Sequence, residues 1–171
     1  FEDEWQAWFF LLGFVFSLAG DVFLMLRRER LFLTGLAAFL LAHVCYIVGF
    51  HATVPPWSSI AVLVPIAGIG AVFFRRLAEG LRERGQKRML VPVAMYSVVL
   101  SLMLYSAWTT LFRPDWGTLR TWFAVIGASL FFVSDGMLAW DRFVKSFPMA
   151  RLWVHMTYHL GQIALAASVL A

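Results

Sequence analysis

The sequence predicts an all-α polytopic membrane protein, a transmembrane bundle of about six helices forming one domain over residues 1–171. Three observations predict it. First, 61% of the 171 residues are hydrophobic and 14% are charged, against about 45–50% and about 25% in soluble domains. Second, the apolar residues fall in six runs, each close to the roughly 20 residues that a bilayer core about 30 Å thick requires. Third, the basic residues cluster in alternate short loops between those runs. With a mean hydropathy of +0.78, a water-soluble fold of this length could not hide so much apolar surface.

The runs are residues 5–26, 31–50, 57–77, 89–112, 119–140 and 150–171. Their connections, RRER, HATVPP, AEGLRERGQKR, RPDWGT and DRFVKSFPM, are short, which makes neighbours antiparallel in a bundle. Most of the tryptophans (Trp5, Trp57, Trp108, Trp116, Trp122, Trp140, Trp153) fall near segment ends, where amphipathic rings anchor a helix at the membrane surface. Twelve of the 14 Lys and Arg residues flank the first, third and fifth connections; only Arg113 and Arg120 flank the fourth. The positive-inside rule places the first, third and fifth connections in the cytoplasm and the acidic start, Glu2, Asp3 and Glu4, outside. A re-entrant second run would break this alternation. The net charge of +4 is therefore a membrane pattern and not a nucleic-acid one. The single Cys45 can form no internal disulfide. No cleavable signal peptide is expected. A helix begins within five residues of Phe1, so an N-terminal portion is expected to precede this sequence. The compact chain points to a bacterial inner membrane, with the endoplasmic reticulum as the alternative.

Ionisable residues inside a membrane are costly, and they default to a functional reading. Asp21, in SLAGDVFLML, and Asp135, in LFFVSDGMLAW, each stand about five residues before the expected cytoplasmic end of a helix, roughly 7–8 Å deep. Each follows a small residue, Gly20 or Ser134, that lets a neighbouring helix approach. Other polar residues gather at comparable depths: His43 and Tyr46 on the second helix, Tyr96, Ser97, Ser101 and Tyr105 on the fourth, and His155, Tyr158, His159 and Gln162 on the sixth. A polar pocket open toward the cytoplasmic leaflet follows if these faces converge. The plainer reading has the aspartates fixing helix register, with Ser97, Ser101 and Tyr105 in helix packing and His155 solvated. No HExxH, CxxC, GxSxG or phosphate-loop motif is present. The His and Asp spacing matches no zinc signature, so neither metal nor cofactor is expected.

The ordered strings SLAGDVFLML, FLTGLAAFLLAHVCYIVGF, LVPVAMYSVVLSLM, GASLFFVSDGMLAWDRF and YHLGQ resemble the YhhN/TMEM86 family of lysoplasmalogenases over nearly the whole chain. The resemblance implies eight membrane helices in the whole protein and hydrolysis of the vinyl ether bond of lysoplasmalogens, the alkenyl-glycerophosphocholines and -ethanolamines. The products would be a fatty aldehyde and a glycerophospho-alcohol. Its GD element falls on Gly20 and Asp21. Its G-L-x-x-F-x-x-x-H-x-x-Y element falls on Gly35, Leu36, Phe39, His43 and Tyr46. The tyrosine after the proline is Tyr96, the SD is Ser134 and Asp135, and the terminal Y-x-x-x-Q is Tyr158 and Gln162. The family's first two helices, with a Lys-Pro element, have no counterpart here.

Acid cleaves a vinyl ether. A proton adds to the carbon β to oxygen, water attacks the resulting oxocarbenium ion, and the hemiacetal collapses. That chemistry needs a protonated acid and a negative group beside the developing cation, which two buried carboxyls supply in glycosidases. Asp21 and Asp135 are the expected catalytic pair, in either assignment. His43, Tyr46, Tyr96, Tyr158, His159 and Gln162 are the expected substrate-binding residues, with the loop arginines near the lipid phosphate. The expected partners are the lysophospholipid substrate and membrane lipids. Two other functions remain open on the residues alone. One is a metal-dependent membrane hydrolase of amide or ester lipids using His43, His155, His159 and the aspartates. The other is a lipid carrier or small transporter with the aspartates as a proton relay.

Overall fold

The computed structural model describes residues 2–26, 29–51 and 54–171. Arg27 and Arg28 of the first basic connection lie outside the described residues. Among those described there are six α-helices and no strand: α1 (Glu2–Met25), α2 (Glu29–Phe50), α3 (Ile60–Glu83), α4 (Leu90–Trp108), α5 (Thr118–Phe143) and α6 (Ala150–Leu170). Short 3-10 turns at Trp57–Ser59, Lys87–Met89, Thr109–Phe112 and Pro114–Trp116 absorb the connections. Five of the helices are long and apolar enough to cross a membrane, and the protein is a multi-pass membrane protein. The sixth has the length, 21 residues. Arg151, His155, Tyr158, His159 and Gln162 hold its hydropathy below that of an ordinary span.

The expected runs and the observed helices differ most in the third and fifth. Both helices continue past the apolar stretch, α3 to Glu83 and α5 to Phe143. Charged residues on the last turns of a membrane helix reach water without ending the helix. Counted from these ends, Asp21 lies four residues inside α1 and Asp135 eight inside α5, about 6 Å and about 12 Å along the axes.

Two intimate helix pairs, α1 with α2 and α5 with α6, flank α4, and α3 packs mainly on α4. Glycines set the close contacts. A Cβ on Gly127 of α5 would stand 2.8 Å from the Leu165 nitrogen and 3.0 Å from the Gly161 carbonyl of α6, so the backbones touch as small-residue membrane pairs do. Gly20 of α1 faces the Phe39 ring of α2, where an added Cβ would come within 2.6 Å. Ser134, the small residue before Asp135, donates to the Val154 carbonyl of α6 at 3.0 Å. The small residues beside both aspartates thus mark helix contacts.

The interior is aromatic. Phe10, Phe39, Tyr46, Phe50, Phe131 and Tyr158 form the main buried cluster. A smaller cluster of Leu77, Leu81, Val93 and Phe143 closes the basic end. The outward faces are apolar, with Leu18, Val64 and Ile163 each more than 60% exposed. A surface of that kind is stable against lipid tails and is a liability in water.

Two residues at the opposite end depart from the sequence reading. Arg113 is not a solvated loop charge: it is 5% exposed and donates to the Phe50 carbonyl at 2.6 Å and to Thr109 Oγ1 at 3.0 Å. Trp116 is buried and packs on Phe50, with ring centroids 5.5 Å apart, instead of lying at the surface. Arg120 likewise donates to the Ser168 carbonyl and to Gln6 Oε1, tying α5 to α6 and α1.

Candidate active site

The two aspartates occupy two different nests. Asp135 is buried on α5 at 8% exposure. Its Oδ2 accepts a short hydrogen bond from the Tyr96 hydroxyl of α4. His43 Nε2 of α2 stands 3.5 Å from the same oxygen. The His43 ring is fully buried, wedged edge-on between Tyr96 and Phe131 at centroid distances of 5.4 and 4.8 Å.

The tautomer of His43 follows from its other nitrogen. Nδ1 lies 2.5 Å from the Phe39 carbonyl, one helical turn back. A carbonyl only accepts, so Nδ1 carries the proton and donates it. In the neutral ring Nε2 then presents a lone pair, and it has no hydrogen-bond partner among the described residues. A buried acceptor without a donor is uncommon. Here it points at the one carboxyl within reach.

Asp21 is half-buried on α1. Its Oδ2 accepts from the Tyr158 hydroxyl of α6 at 2.7 Å. His155 and His159, both exposed on α6, lie within electrostatic reach of it. His159 also lies against Tyr158, with ring centroids 5.0 Å apart. Beside this nest, Tyr46 of α2 donates to Gln162 Oε1 at 2.8 Å and lies 3.4 Å from Ser17 Oγ. Phe131 stands between the halves and meets His43, Tyr46 and Tyr158 edge-on.

The Asp135 nest lines a pocket. A mostly apolar pocket of about 50 Å³ lies between α2, α3, α4 and α5, with Leu24 of α1 at its edge. Asp135 and Tyr96 form its polar spot, while Leu36, Phe73, Leu100 and Ala139 are among its apolar walls. A pocket with few convergent polar groups in an apolar wall is the usual form of a small-ligand site. Asp21, His43, Tyr46, Tyr158, His159 and Gln162 are not in that lining. Ser97 and Ser101 are, although their hydroxyls bond back to the Val93 and Ser97 carbonyls of their own helix.

Seven of the eight residues singled out for the site fall in or beside a linked aromatic and polar interior, while His159 is exposed on α6. They divide into an Asp135–Tyr96 pair on the pocket with His43 buried behind it, and an Asp21–Tyr158–His159 group at the α1–α6 seam, with Tyr46 and Gln162 beside the latter. Sequence reasoning missed Phe131, which separates the groups, because one phenylalanine among 17 carries no signal. Among the described residues no three His, Cys, Asp or Glu side chains converge as metal ligands.

Fold and site together define a multi-pass helical membrane protein with a carboxyl and a phenol on an apolar pocket and a buried imidazole behind them. The chain belongs to the YhhN family, whose model matches residues 2–169. It is 36% identical over 165 residues to lysoplasmalogenase TMEM86B of Mus musculus, covering 96% of this chain and 65% of that protein. It is 30% identical to lysoplasmalogenase TMEM86B of Homo sapiens over 91% of this chain and 61% of that protein. With the lysoplasmalogenase of Mycobacterium bovis it shares 28% identity over 80% of this chain and 50% of that protein. The chain thus spans less than two thirds of the length of these relatives. No solved structure matches it significantly.

Proposed function

We propose that this protein is a lysoplasmalogenase, a hydrolase of the vinyl ether bond of lysoplasmalogens, and that Asp135 is its acid. The observation that carries the reading is the pairing of a carboxyl on the pocket wall with a base buried behind it. A buried carboxyl, bonded by Tyr96, faces the unpartnered Nε2 of His43 beside an apolar chamber. The names of the relatives in mammals and mycobacteria agree with it.

The steps balance as follows. Protonated Asp135 gives its proton to the alkenyl carbon β to oxygen, leaving a carboxylate beside the new oxocarbenium ion. Water adds to the α carbon, and its proton passes to His43 Nε2 and from there back to Asp135. The hemiacetal breaks into a fatty aldehyde and a glycerophospho-alcohol, with one water consumed. A low-dielectric pocket strengthens the attraction between carboxylate and cation. Tyr96 fixes the carboxyl rotamer. Asp21 acts from behind Tyr158 as a second negative charge and as a positioning residue. Tyr46, Gln162 and His159 hold Tyr158 and the α1–α6 seam in place, and the apolar walls hold the alkenyl chain. No step calls for a metal. The basic end faces the cytoplasm, in a bacterial inner membrane, so substrate is drawn from the cytoplasmic leaflet. The charge asymmetry of the connections supports this orientation.

The test is product formation by the full-length protein in detergent. The wild type is expected to release aldehyde from a lysoplasmalogen and no fatty acid from the matching ester lysophospholipid, with or without chelator. Asp135→Asn is expected to stop the release while the protein stays folded. Wild-type turnover by a folded Asp135→Asn would remove the mechanism, and fatty acid release would replace the function.

A further inference from the structure

The end of the bundle opposite the basic connections holds a second pocket. It is polar, measures about 250 Å³ and lies between the 3-10 turns after α4 and the first turn of α5. Arg113 forms part of its wall. That side chain is 5% exposed, yet among the described residues no carboxylate pairs with it. A guanidinium carries five N–H donors, and the Phe50 carbonyl and Thr109 Oγ1 engage two of them. Its Nε has no hydrogen-bond partner among the described residues. A buried charge is normally paired, because taking it out of water is costly. Asp115 acts on Arg113 through space, but it is exposed and stands outside the lining.

Another part of the wall is the start of α5, through Gly117, Thr118 and Thr121. The first N–H groups of a helix have no acceptor within it and carry partial positive charge. Gly117, at the cap position, has no side chain to bond them, and no acidic residue stands in the first turn. An unpaired cation and an uncapped helix start thus meet at one polar pocket, and both complement an anion.

The rim points to the class of anion. Leu111 and Trp122 also line the pocket, are exposed, and stand at the ends of membrane-spanning segments. A tryptophan at such an end sits at the level of the lipid headgroups. Guanidinium forks and helix starts are both recurrent holders of phosphate. We propose that this pocket binds a phosphate group, presented by a lipid headgroup or as free phosphate, with Arg113 and the start of α5 as its positive walls. Thr121 stands 14 residues before Asp135 on α5, about 21 Å along the axis. The site is therefore separate from the Asp135 pocket and does not rest on the proposed function.

Binding to the full-length protein in non-ionic detergent tests it. The probes are inorganic phosphate, a dihexanoyl phosphatidate, and the dihexanoylglycerol that lacks its phosphate. The wild type is expected to bind the phosphatidate about tenfold more tightly than the diacylglycerol, as a charge-assisted contact allows. Thr118→Glu sets a carboxylate at the helix start. It is expected to abolish that preference while holding or raising the unfolding temperature, because negative charge there stabilises α5. Arg113→Gln is expected to lose the preference as well, and Arg88→Gln at the basic end to keep it. Should Arg113→Gln not fold, Thr118→Glu decides. Phosphatidate that binds more tightly than inorganic phosphate assigns the site to a headgroup. Equal binding of the two, lost in Thr118→Glu, assigns it to free phosphate, and either result supports the site. No preference for phosphate in the wild type, or one unchanged in Thr118→Glu or in a folded Arg113→Gln, overturns it.

Discussion

Asp21 and Asp135 sit in look-alike segments, and each accepts a hydrogen bond from a tyrosine on another helix. Their surroundings differ. Asp135 is buried against a pocket with the bare nitrogen of His43 at 3.5 Å. Asp21 is half-exposed at a helix seam near two exposed histidines. On the proposed mechanism, the same short motif becomes a site for chemistry only where a cavity and a partner base meet it. Elsewhere it organises helices and contributes charge at a distance.

The largest effect expected is on the pocket side. Asp135→Asn should lower aldehyde release by about 10²–10⁴-fold, the range for losing a general acid, with thermal unfolding in detergent little changed. Asp21→Asn should lower it by only about tenfold, roughly the effect of one lost charge contact. Equal losses would erase the distinction between the nests. Next come the phenols. Tyr96→Phe strips a hydrogen bond from the carboxyl that lines the pocket, and Tyr158→Phe from the one that does not. At about 1.5–3 kcal/mol for a bond to a charged group, Tyr96→Phe should reduce turnover at saturating lipid about 10- to 100-fold. Tyr158→Phe should act mainly on unfolding temperature.

The smallest effects concern the glycines beside the aspartates. Gly20→Ala forces a Cβ within 2.6 Å of the Phe39 ring, whereas at Gly136 the nearest atom, on Phe73, is 3.6 Å away. Overpacking costs about 1–3 kcal/mol, so Gly20→Ala should lower the unfolding temperature. Gly136→Ala should leave it within the scatter of surface changes, about 0.5 kcal/mol. It should instead raise the KM by narrowing the pocket wall. Matching unfolding temperatures for the two variants would contradict the packing described here.

Much of this was legible in the sequence because membrane insertion writes itself in composition. Six apolar runs with basic loops on alternate sides specify helix number and neighbour relations with little help from packing. The polar residues were legible as well, since a buried Asp, His or Tyr in lipid stands out against Leu and Val. Their grouping was not. Whether Tyr96 reaches Asp135 or Asp21 depends on helix rotation, which period and hydropathy leave open when a helix is apolar all round, as α4 is. The ends of α3 and α5 were misplaced because charged side chains reach water from an unbroken helix. Arg113 was read as a loop charge because nothing local signals that a cation will cap the Phe50 carbonyl 63 residues away in sequence.

The central claim is that a protein carboxyl protonates carbon. The most direct measurement runs the reaction in deuterium oxide and weighs the aldehyde after trapping it as the alcohol. The account predicts one deuterium on the carbon next to the carbonyl in the wild-type product, and about 10²–10⁴-fold less of that product with Asp135→Asn. Aldehyde released by the wild type without that deuterium would mean the bond breaks by another route, and the acid role assigned to Asp135 would be wrong.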